Sequence, residues 1–236
     1  MVPTRVGQFS IGVRYQSALR EAEVGGDFYD VFDLGNNKAG VLIGDVAGKG
    51  LAAAMRVAAA RYALRSYAVL ESDPARVMEL TNKALCMDSD HEAGILTAVF
   101  AVIDTTGNTI TYASAGHEPP LICRACGEIE ELPIGGLPLG VCELSKYEQD
   151  TIELAPSDTL VLVTDGITEA RTGIDKFFEK KGMIQFLSSH SPSSPDETAV
   201  GLLDAAMDYA GGHLQDDAAV VVVSLDTADE AGAISD

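Results

Sequence analysis

The fold is decided by residues 28–46, which read FYDVFDLGNNKAGVLIGDV. Two segments rich in aromatic, β-branched and aliphatic residues, Phe28 to Leu34 and Ala39 to Val46, flank a turn sequence at residues 35–38. Strand-forming segments separated by Gly and Asn residues are typical of a β-hairpin. This stretch therefore predicts two antiparallel strands joined by a tight turn.

The predicted hairpin brings two aspartates together. Asp27 and Asp45 lie nine residues before and nine residues after Asn36, so a hairpin folded about Asn36 places them opposite each other. Cross-strand partners have Cβ atoms about 5 Å apart, and like charges at that distance repel. A cation between or beside the two carboxylates would turn this repulsion into binding.

Other segments of similar composition set the predicted architecture. Further strands are expected at Phe9–Tyr15, Ile95–Asp104, Thr109–Ala115, Pro120–Arg124, Lys146–Leu154, Thr159–Thr164 and Ala218–Leu225. Helices are expected at Leu51–Leu70, at about 74–87, at Lys176–Ser188 and at Pro195–Tyr209. Several strands are apolar on both faces and must be covered on both sides. We therefore predict an α+β fold in which two antiparallel sheets pack face to face with helices outside each.

Composition and charge limit the class of protein. The chain of 236 residues is predicted to form one domain over 1–236, with its core at about 9–225 and a frayed acidic tail at 226–236. A net charge of −20 argues against nucleic acid or an anionic membrane as partners. Neither a secretory signal nor an uncharged segment of membrane-spanning length is present, so a cytoplasmic protein is expected.

Three other kinds of site are disfavoured. Cys123 and Cys126 form a CxxC, but a zinc site needs a second close pair. We expect these cysteines to mark a strand end followed by a turn at Gly127. Residues 44–50 fail the GxxxxGK[ST] spacing of a nucleotide-binding loop. No cysteine lies in an HCxxxxxR-like setting, which excludes a cysteine-nucleophile phosphatase.

Four acidic motifs carry the chemistry. They are GGDFYD around Asp27, IGDVAGKG around Asp45, VTDGITEA around Asp165 and LQDDAAVVVV around Asp216 and Asp217. Carboxylates at the rim of a core are costly unless they share cations. Hard oxygen ligands from distant parts of a chain suit Mg²⁺ or Mn²⁺. The sequence therefore predicts a carboxylate-lined metal centre.

The residues around these motifs have less specific signals. The helix expected from Leu51 begins just after Lys49, and a helix amino end beside a lysine favours a phosphate. His117, in SAGHEPPL, could orient a loop or touch substrate, and we favour the first role. The nearby acids, which we do not expect to be direct ligands, are Glu23, Glu118 and Glu169.

The series of motifs along the chain resembles a known family. In order they read GGDFYD, GDVAGKG, ILTAVFAVID, ASAGHEPPL, GLPLGV, LVLVTDGITEAR and LQDDAAVVVV. This series resembles the SpoIIE-type branch of the PPM (protein phosphatase 2C-like) serine/threonine phosphatases. The resemblance implies a four-layer αββα sandwich with a centre for two divalent cations, Mn²⁺ or Mg²⁺, at one end.

The same resemblance implies roles for the motif residues. Asp45 would bridge both metals, with Asp165 and Asp216 completing one metal and Asp27 and the Val46 carbonyl serving the other. Asp45 and Asp165 are thus the expected catalytic residues. Around the ligands or at the substrate we expect Asp217, Gly166 and Lys49. The sequence leaves open which residue of the pair Asp216 and Asp217 coordinates directly.

The activity implied by the resemblance is protein phosphatase chemistry. A metal-activated water would attack phosphoserine or phosphothreonine without forming a phosphoenzyme. The implied substrate is a STAS-domain anti-sigma-factor antagonist, which dephosphorylation would release to bind its kinase-type anti-sigma partner. The helices over 51–87 would act as a regulatory element, and a homodimer is a further hypothesis.

The chain departs from the family pattern at a few positions. Ala219 replaces the threonine of DDxT, so we expect one hydrogen bond near the ligands to be absent. Lys49 stands where the family often has histidine. Relatives usually carry a sensory or coiled-coil segment before this domain, so we expect either a free-standing phosphatase or a fragment of a longer one.

Two rival functions remain open on the sequence. One is a non-catalytic relative that binds a phosphorylated partner without hydrolysing it. The other is a domain that uses metal only for structure, which predicts that the metal-free protein does not fold. The presence of every motif aspartate favours the enzyme, because a binding module does not need them.

Overall fold

The computed structural model describes residues 2–18, 25–87, 95–133, 135–189 and 194–227, and the structural statements below concern these residues. Sheet I contains β1 (Arg5–Val6), β2 (Phe9–Gln16), β7 (Leu121–Cys123), β8 (Ile129–Glu131), β10 (Thr159–Val163) and β11 (Ala218–Leu225). Sheet II contains β3 (Phe28–Gly35), β4 (Lys38–Val46), β5 (Leu96–Asp104), β6 (Thr109–Ala115) and β9 (Gln149–Glu153). The helices are α1 (Leu51–Leu70), α2 (Pro74–Met87), α3 (Asp165–Thr168), α4 (Glu179–Ser189) and α5 (Pro195–Tyr209).

The two sheets pack face to face between two layers of helices. Sheet I has the strand order β1-β2-β11-β10-β7-β8 and sheet II the order β3-β4-β5-β6-β9, with antiparallel pairing throughout. One hydrophobic core lies between the sheets, a second lies between sheet II and helices α1 and α2, and a third lies between sheet I and the remaining helices. The predicted αββα sandwich is confirmed.

Alternation along the central strands explains why each needs two apolar faces. In β4, Val41 and Ile43 point into the core between the sheets, while Leu42 points toward α1 and α2. In β11, Val221 faces the other sheet and Val222 faces the outer helices. Side chains alternate across a strand, so a strand covered on both sides reads as a continuous apolar run.

The β3–β4 hairpin has the register predicted from its sequence. Phe28 lies opposite Gly44, and the pairing continues in step until a bulge between Asp33 and Gly35. Asn36 and Asn37 form the turn with φ values of 52° and 61°, a conformation that Asn tolerates better than most residues. The bulge adds one residue before the turn, which is why folding about Asn36 gives the observed pairing.

Two glycines of β4 make room for aromatic rings on the α1 side of the sheet. A Cβ at Gly44 would lie 2.6 Å from the ring of Phe28, and one at Gly40 would lie 2.7 Å from the ring of Phe32. The rings therefore lie across the strand where a side chain would otherwise stand. This close packing fixes β3 against β4 next to Asp27.

The structure differs from the sequence predictions mainly in irregular segments. Helix α4 begins at Glu179 rather than Lys176, because residues 171–178 fold back on themselves through an isolated bridge between Arg171 and Phe177. Strand β9 is shorter than predicted, since only residues 149–153 find partners on β6. The short elements β1, β8 and α3 were not predicted from the sequence.

Three further expectations from the sequence concern the CxxC segment, the acidic tail and membrane-spanning segments. Cys123 and Cys126 flank the turn between β7 and β8, where the Gly127 N–H donates to the Arg124 carbonyl at 2.8 Å. Asp226 is held by Arg5 at 2.6 Å, while residues 228–236 of the expected tail lie outside the described residues. Among the helices of the described ranges, none is both long enough and apolar enough to cross a membrane.

Candidate metal centre

Three aspartates from the two sheets meet at one end of the sandwich. Asp27 immediately precedes β3, Asp45 is the last residue but one of β4, and Asp165 begins α3 just after β10. One carboxylate oxygen of each lies within 4.8 Å of the others. The ion pairs found in the described ranges all involve other acids. The three carboxylates thus face one another without a protein cation in that part of the chain.

Burial and mutual repulsion raise the pKa of each of these acids. Burial is the main cause at Asp27, whose pKa rises to about 9, and the charge of Asp45 adds to it. Burial and then the charge of Asp45 raise the pKa of Asp165 to about 6. Burial likewise raises the pKa of Asp45. A divalent cation would favour the ionised form of all three, which is the form that binds hard metals.

Thr164 holds Asp27 in place, and the sequence analysis did not select it. Its Oγ1 donates to Asp27 Oδ2 at 2.5 Å and accepts the backbone N–H of Ala219 at 2.8 Å. Thr164 is fully buried, so this hydroxyl links the adjacent ends of β10 and β11 in sheet I to the acid that precedes β3 of sheet II. The available signal was a hydroxyl residue directly before Asp165 at the end of an apolar strand.

Gly26 lies where two of the expected ligand atoms approach the chain. A Cβ at this position would be 2.3 Å from the Val46 carbonyl oxygen and 2.6 Å from Asp45 Oδ1. The Gly26 carbonyl also accepts the Val46 N–H at 3.1 Å, which extends the hairpin ladder past β3. The second glycine of GGDFYD is therefore required for the Val46 carbonyl and the Asp45 carboxylate to share one side of the site.

Asp216 lies at the exposed border of the cluster. It is not among the three carboxylates within 4.8 Å, and its Oδ1 is 3.3 Å from Lys49 Nζ in the segment before α1. Its charge nevertheless helps to raise the pKa values of Asp45 and Asp165. Asp216 and Lys49 thus border the site as an exposed ion pair.

Asp217 points the other way, into the protein. Its Oδ1 accepts the Ala18 N–H at 2.9 Å. Burial first, and then the charge of Asp217, raise the pKa of Tyr15 to about 12. A Cβ at Gly166 would lie only 1.7 Å from the Asp217 carbonyl oxygen, so the glycine of TDG lets the two loops touch. The two residues of the DD pair therefore have different surroundings.

His117 lies beneath the cluster and makes structural contacts. Its Nδ1 is 2.9 Å from Thr97 Oγ1, and Thr97 is the cross-strand partner of Asp45. Burial lowers the His117 pKa to about 4, with the backbone of Val163 opposing the shift, so the imidazole is neutral at pH 7. These contacts support the loop-orienting role over contact with substrate.

The neighbouring glutamates lie outside the three-carboxylate cluster. Burial first, and then the charge of Glu169, raise the pKa of Glu118. Glu169 itself is exposed at the end of α3. Glu23 lies outside the described residues.

An αββα sandwich with carboxylates gathered at one end of its sheets defines a protein phosphatase 2C-like fold. The family model described as Stage II sporulation protein E (SpoIIE) matches residues 35–226 of this chain. The chain therefore belongs to the SpoIIE family, and its expected place in the SpoIIE-type branch of the PPM phosphatases is confirmed.

Relatives of known name agree with this assignment. The chain is 29% identical over 202 residues to Phosphoserine phosphatase RsbU of Bacillus subtilis, covering 85% of this chain and 59% of RsbU. Its fold is similar to the PP2C phosphatase domain of SpoIIE from Bacillus subtilis, with a TM-score of 0.81, 23% identity, and coverage of 92% of this chain and 63% of that one. It is also similar to RsbX in complex with magnesium, with a TM-score of 0.67, 19% identity, and coverage of 92% and 95%.

The curated relatives are longer proteins. This chain spans between 24% and 59% of the length of those it matches. The similarity therefore concerns one domain that these proteins share.

Proposed function

We propose that this chain is a metal-dependent protein serine/threonine phosphatase. The observation that carries the proposal is the meeting of Asp27, Asp45 and Asp165, which are remote in sequence and come from both sheets. Carboxylates this close, partly or fully buried and without a protein cation in the described ranges, oppose folding unless protons or metal ions neutralise them. The phosphatase activity of RsbU, named for phosphoserine, supports the same reading.

The donor set fits hard divalent cations. Carboxylate and carbonyl oxygens are the ligands that Mg²⁺ and Mn²⁺ prefer, and RsbX is a relative found in complex with magnesium. As the family resemblance implies, Asp45 would serve both ions, Asp165 and Asp216 would help to hold one, and Asp27 and the Val46 carbonyl would help to hold the other. When bound, the ions would acidify a water and neutralise charge on the phosphoryl oxygens.

The protein's own residues would position this chemistry. Thr164 fixes the Asp27 carboxylate through its hydroxyl, so that Asp27 presents a defined oxygen. Asp217 secures the loop between α5 and β11 and so sets the position of Asp216. Lys49 lies beside Asp216 at the border of the site, where its ammonium group would attract a substrate phosphate.

The substrate proposed is a phosphorylated STAS-domain anti-sigma-factor antagonist. This follows from the family resemblance, with dephosphorylation freeing the antagonist for its anti-sigma partner. The residues over 51–87 would then regulate the site, since α1 begins only five residues after Val46. A homodimer and a cytoplasmic location remain predictions.

The experiment that tests the phosphatase proposal is turnover of p-nitrophenyl phosphate with added Mn²⁺ and with chelator. We expect Mn²⁺-dependent hydrolysis that is lost in Asp45→Asn. A folded but inactive protein that still binds a phosphoprotein would favour the non-catalytic relative. Loss of folding in chelator, followed by circular dichroism, would favour a purely structural metal.

A further inference from the structure

Exposed apolar side chains lie on two segments of the chain, the start of α1 and the segment between β8 and β9, which meet where Arg56 approaches Gly140. This corner patch consists of Leu51 and Met55 at the start of α1, and Leu137, Val141 and Leu144 between β8 and β9. Each of these residues is between 51% and 83% exposed. Single exposed apolar residues are normal, but several at one place mark an interaction surface.

The corner patch adjoins the ends of the strands that carry the site. The Leu139 N–H donates to the Leu96 carbonyl at 2.7 Å, and Leu96 is the cross-strand partner of Val46. The same strand pair continues by one hydrogen bond past its end, where the Ala47 N–H donates to the Ile95 carbonyl at 2.8 Å shortly before α1. A protein bound to the patch would therefore reach the carboxylate cluster.

Arg56 lies next to the corner patch, and no acid among the described residues forms an ion pair with it. Its Nε is buried, and in the described ranges no acceptor bonds it and no carboxylate lies within the distance of an ion pair. By contrast, Arg61 and Arg65 on the same helix both pair with Asp30. Glu143 acts electrostatically on Cys86, as Arg56 does, but forms no ion pair with the arginine. Arg56 thus carries a charge for which the described chain supplies no partner.

The surroundings of Arg56 are rigid. Gly140 has φ +80°, a conformation that favours glycine, and Arg56 Nη2 lies 2.2 Å from the place that a Cβ would take. The Gly140 N–H donates to Asn82 Oδ1 at 2.8 Å, and Asn82 Nδ2 donates to the Cys142 carbonyl at 2.8 Å. The fully buried Asn82 therefore attaches the GLPLGV motif to α2 by hydrogen bonds. The space that Arg56 occupies is thus ordered before any partner binds.

We propose that the corner patch is the docking surface for the phosphoprotein substrate, whose acidic side chain pairs with Arg56 beside an apolar contact. This rests on the proposed phosphatase function, because it assigns the surface next to that site. No carboxylate of the described ranges pairs with Arg56, so its charge selects an acidic group on the partner. A second copy of this chain is a poorer occupant, since a net charge of −20 on each copy opposes self-association.

Such an interface concentrates its energy in few residues. An arginine surrounded by apolar side chains is a common hot spot, because the surrounding contacts exclude water from its ion pair. Removing a hot-spot side chain weakens binding at least about tenfold. An unfolded phosphoserine protein has no folded surface that matches the corner patch, so contacts with the patch would not increase its kcat/KM.

The test compares kcat/KM for a phosphorylated STAS-domain protein with kcat/KM for casein, an unfolded phosphoserine substrate, both with Mn²⁺. We expect the wild type to prefer the STAS-domain protein. Arg56→Gln and Leu144→Ser should each lower this preference at least about tenfold. Leu144 is so exposed that its replacement leaves folding intact, which covers the case that Arg56→Gln does not fold.

Two control variants match the test variants. Leu70→Ser changes an equally exposed leucine at the far end of α1, about 28 Å from Leu51. Arg76→Gln changes an arginine of α2 that pairs with Glu79. Both should keep the wild-type preference. An unchanged preference in the test variants, an equal loss in the controls, or no preference in the wild type would overturn the docking proposal. Absence of any Mn²⁺-dependent turnover would instead overturn the phosphatase proposal.

Discussion

An aspartate that is buried or partly buried lies at each end of β10. The groups that surround these two acids differ in kind. Asp158, just before the strand, accepts the N–H groups of Ala125 and Ala155 at 2.8 and 3.0 Å and pairs with Arg124 at 2.9 Å. Asp165, just after it, faces the carboxylates of Asp27 and Asp45. The first acid is satisfied by the protein, whereas the charges that act on the second, among the described residues, are those of other acids.

Their pKa values reflect this difference. Burial alone would raise the pKa of Asp158, but the hydrogen bonds from Ala125, Ala155 and Arg124 lower it. Burial raises the pKa of Asp165 to about 6, and the charge of Asp45 adds to the shift. A carboxylate that stabilises a fold is surrounded by donors, whereas one that awaits a cation is surrounded by other acids.

The largest expected effect is at the cluster end of β10. Asp165→Asn removes a carboxylate that we propose as a metal ligand, so kcat/KM for p-nitrophenyl phosphate with Mn²⁺ should fall about a thousandfold. Stability in chelator should not fall, because one like-charge repulsion is relieved. Asp175→Asn, on the exposed loop after α3, is the control and should keep its activity. Full activity in Asp165→Asn would remove this residue from the site.

At the other end of the strand, the same substitution should act on stability alone. Asp158→Asn weakens the hydrogen bonds from Ala125, Ala155 and Arg124, although Arg124 keeps its pairing with Glu130, so the free energy of unfolding should fall by about 2 kcal/mol. Urea unfolding measures the loss, and turnover per folded molecule should remain normal. The exposed Asp204→Asn on α5 should change neither quantity. A large loss of turnover in folded Asp158→Asn would contradict the prediction that Asp158 affects stability and not activity.

Thr164 sharpens the comparison, because its hydroxyl donates a hydrogen bond to one acid of the cluster. Thr164→Val keeps the shape but removes the hydroxyl that bridges Asp27 and the Ala219 N–H. We expect the Mn²⁺ concentration for half-maximal activity to rise about tenfold. Thr164→Ser should restore it, whereas an equal defect in both variants would indicate packing rather than the hydrogen bond.

The sequence predicts the acids at one end of β10 but not the hydrogen bonds at the other end. The cluster end was predictable, because Asp27 and Asp45 follow from the hairpin register and Asp165 follows a strongly apolar strand. The Asp158 network was not, since its donors come from a turn 33 residues away and from local backbone groups. Such contacts depend on tertiary packing, which has no periodic signal.

Two other residues have contacts that sequence motifs did not predict. The hydrogen bond expected to be absent at Ala219 concerned its side chain and stays a prediction, whereas the backbone N–H of Ala219 donates to Thr164 Oγ1, a contact that no motif indicated. Arg56 belongs to no motif of the sequence, and only the fold places its guanidinium group against Gly140. The sheets were predictable from alternating and continuous apolar runs, whereas side-chain partners across the fold were not.

The smallest expected effect concerns pH in metal-free protein. The folded-state pKa of Asp165 is raised from its ordinary 3.8 to about 6, so the unfolded chain loses this proton first as the pH rises. Stability from this group is therefore present below about pH 4 and is lost as pH rises toward 6. Asp158 has the opposite sign, because its folded pKa is lowered, so its contribution is constant above pH 4 and is lost only on further acidification.

Urea unfolding in chelator at pH 4.5 and pH 7 separates these two contributions. The wild type should lose stability over this interval, and Asp165→Asn should remove on the order of 1 kcal/mol of that loss after allowance for solvent screening. Asp158→Asn should leave the loss unchanged, although it lowers stability at both pH values. Added Mn²⁺ should stabilise the wild type more at pH 7 than at pH 4.5, because the ion competes with protons for the carboxylates. Equal stabilisation at both pH values would mean that the ion binds elsewhere, and the acids at the two ends of β10 would then have no functional difference.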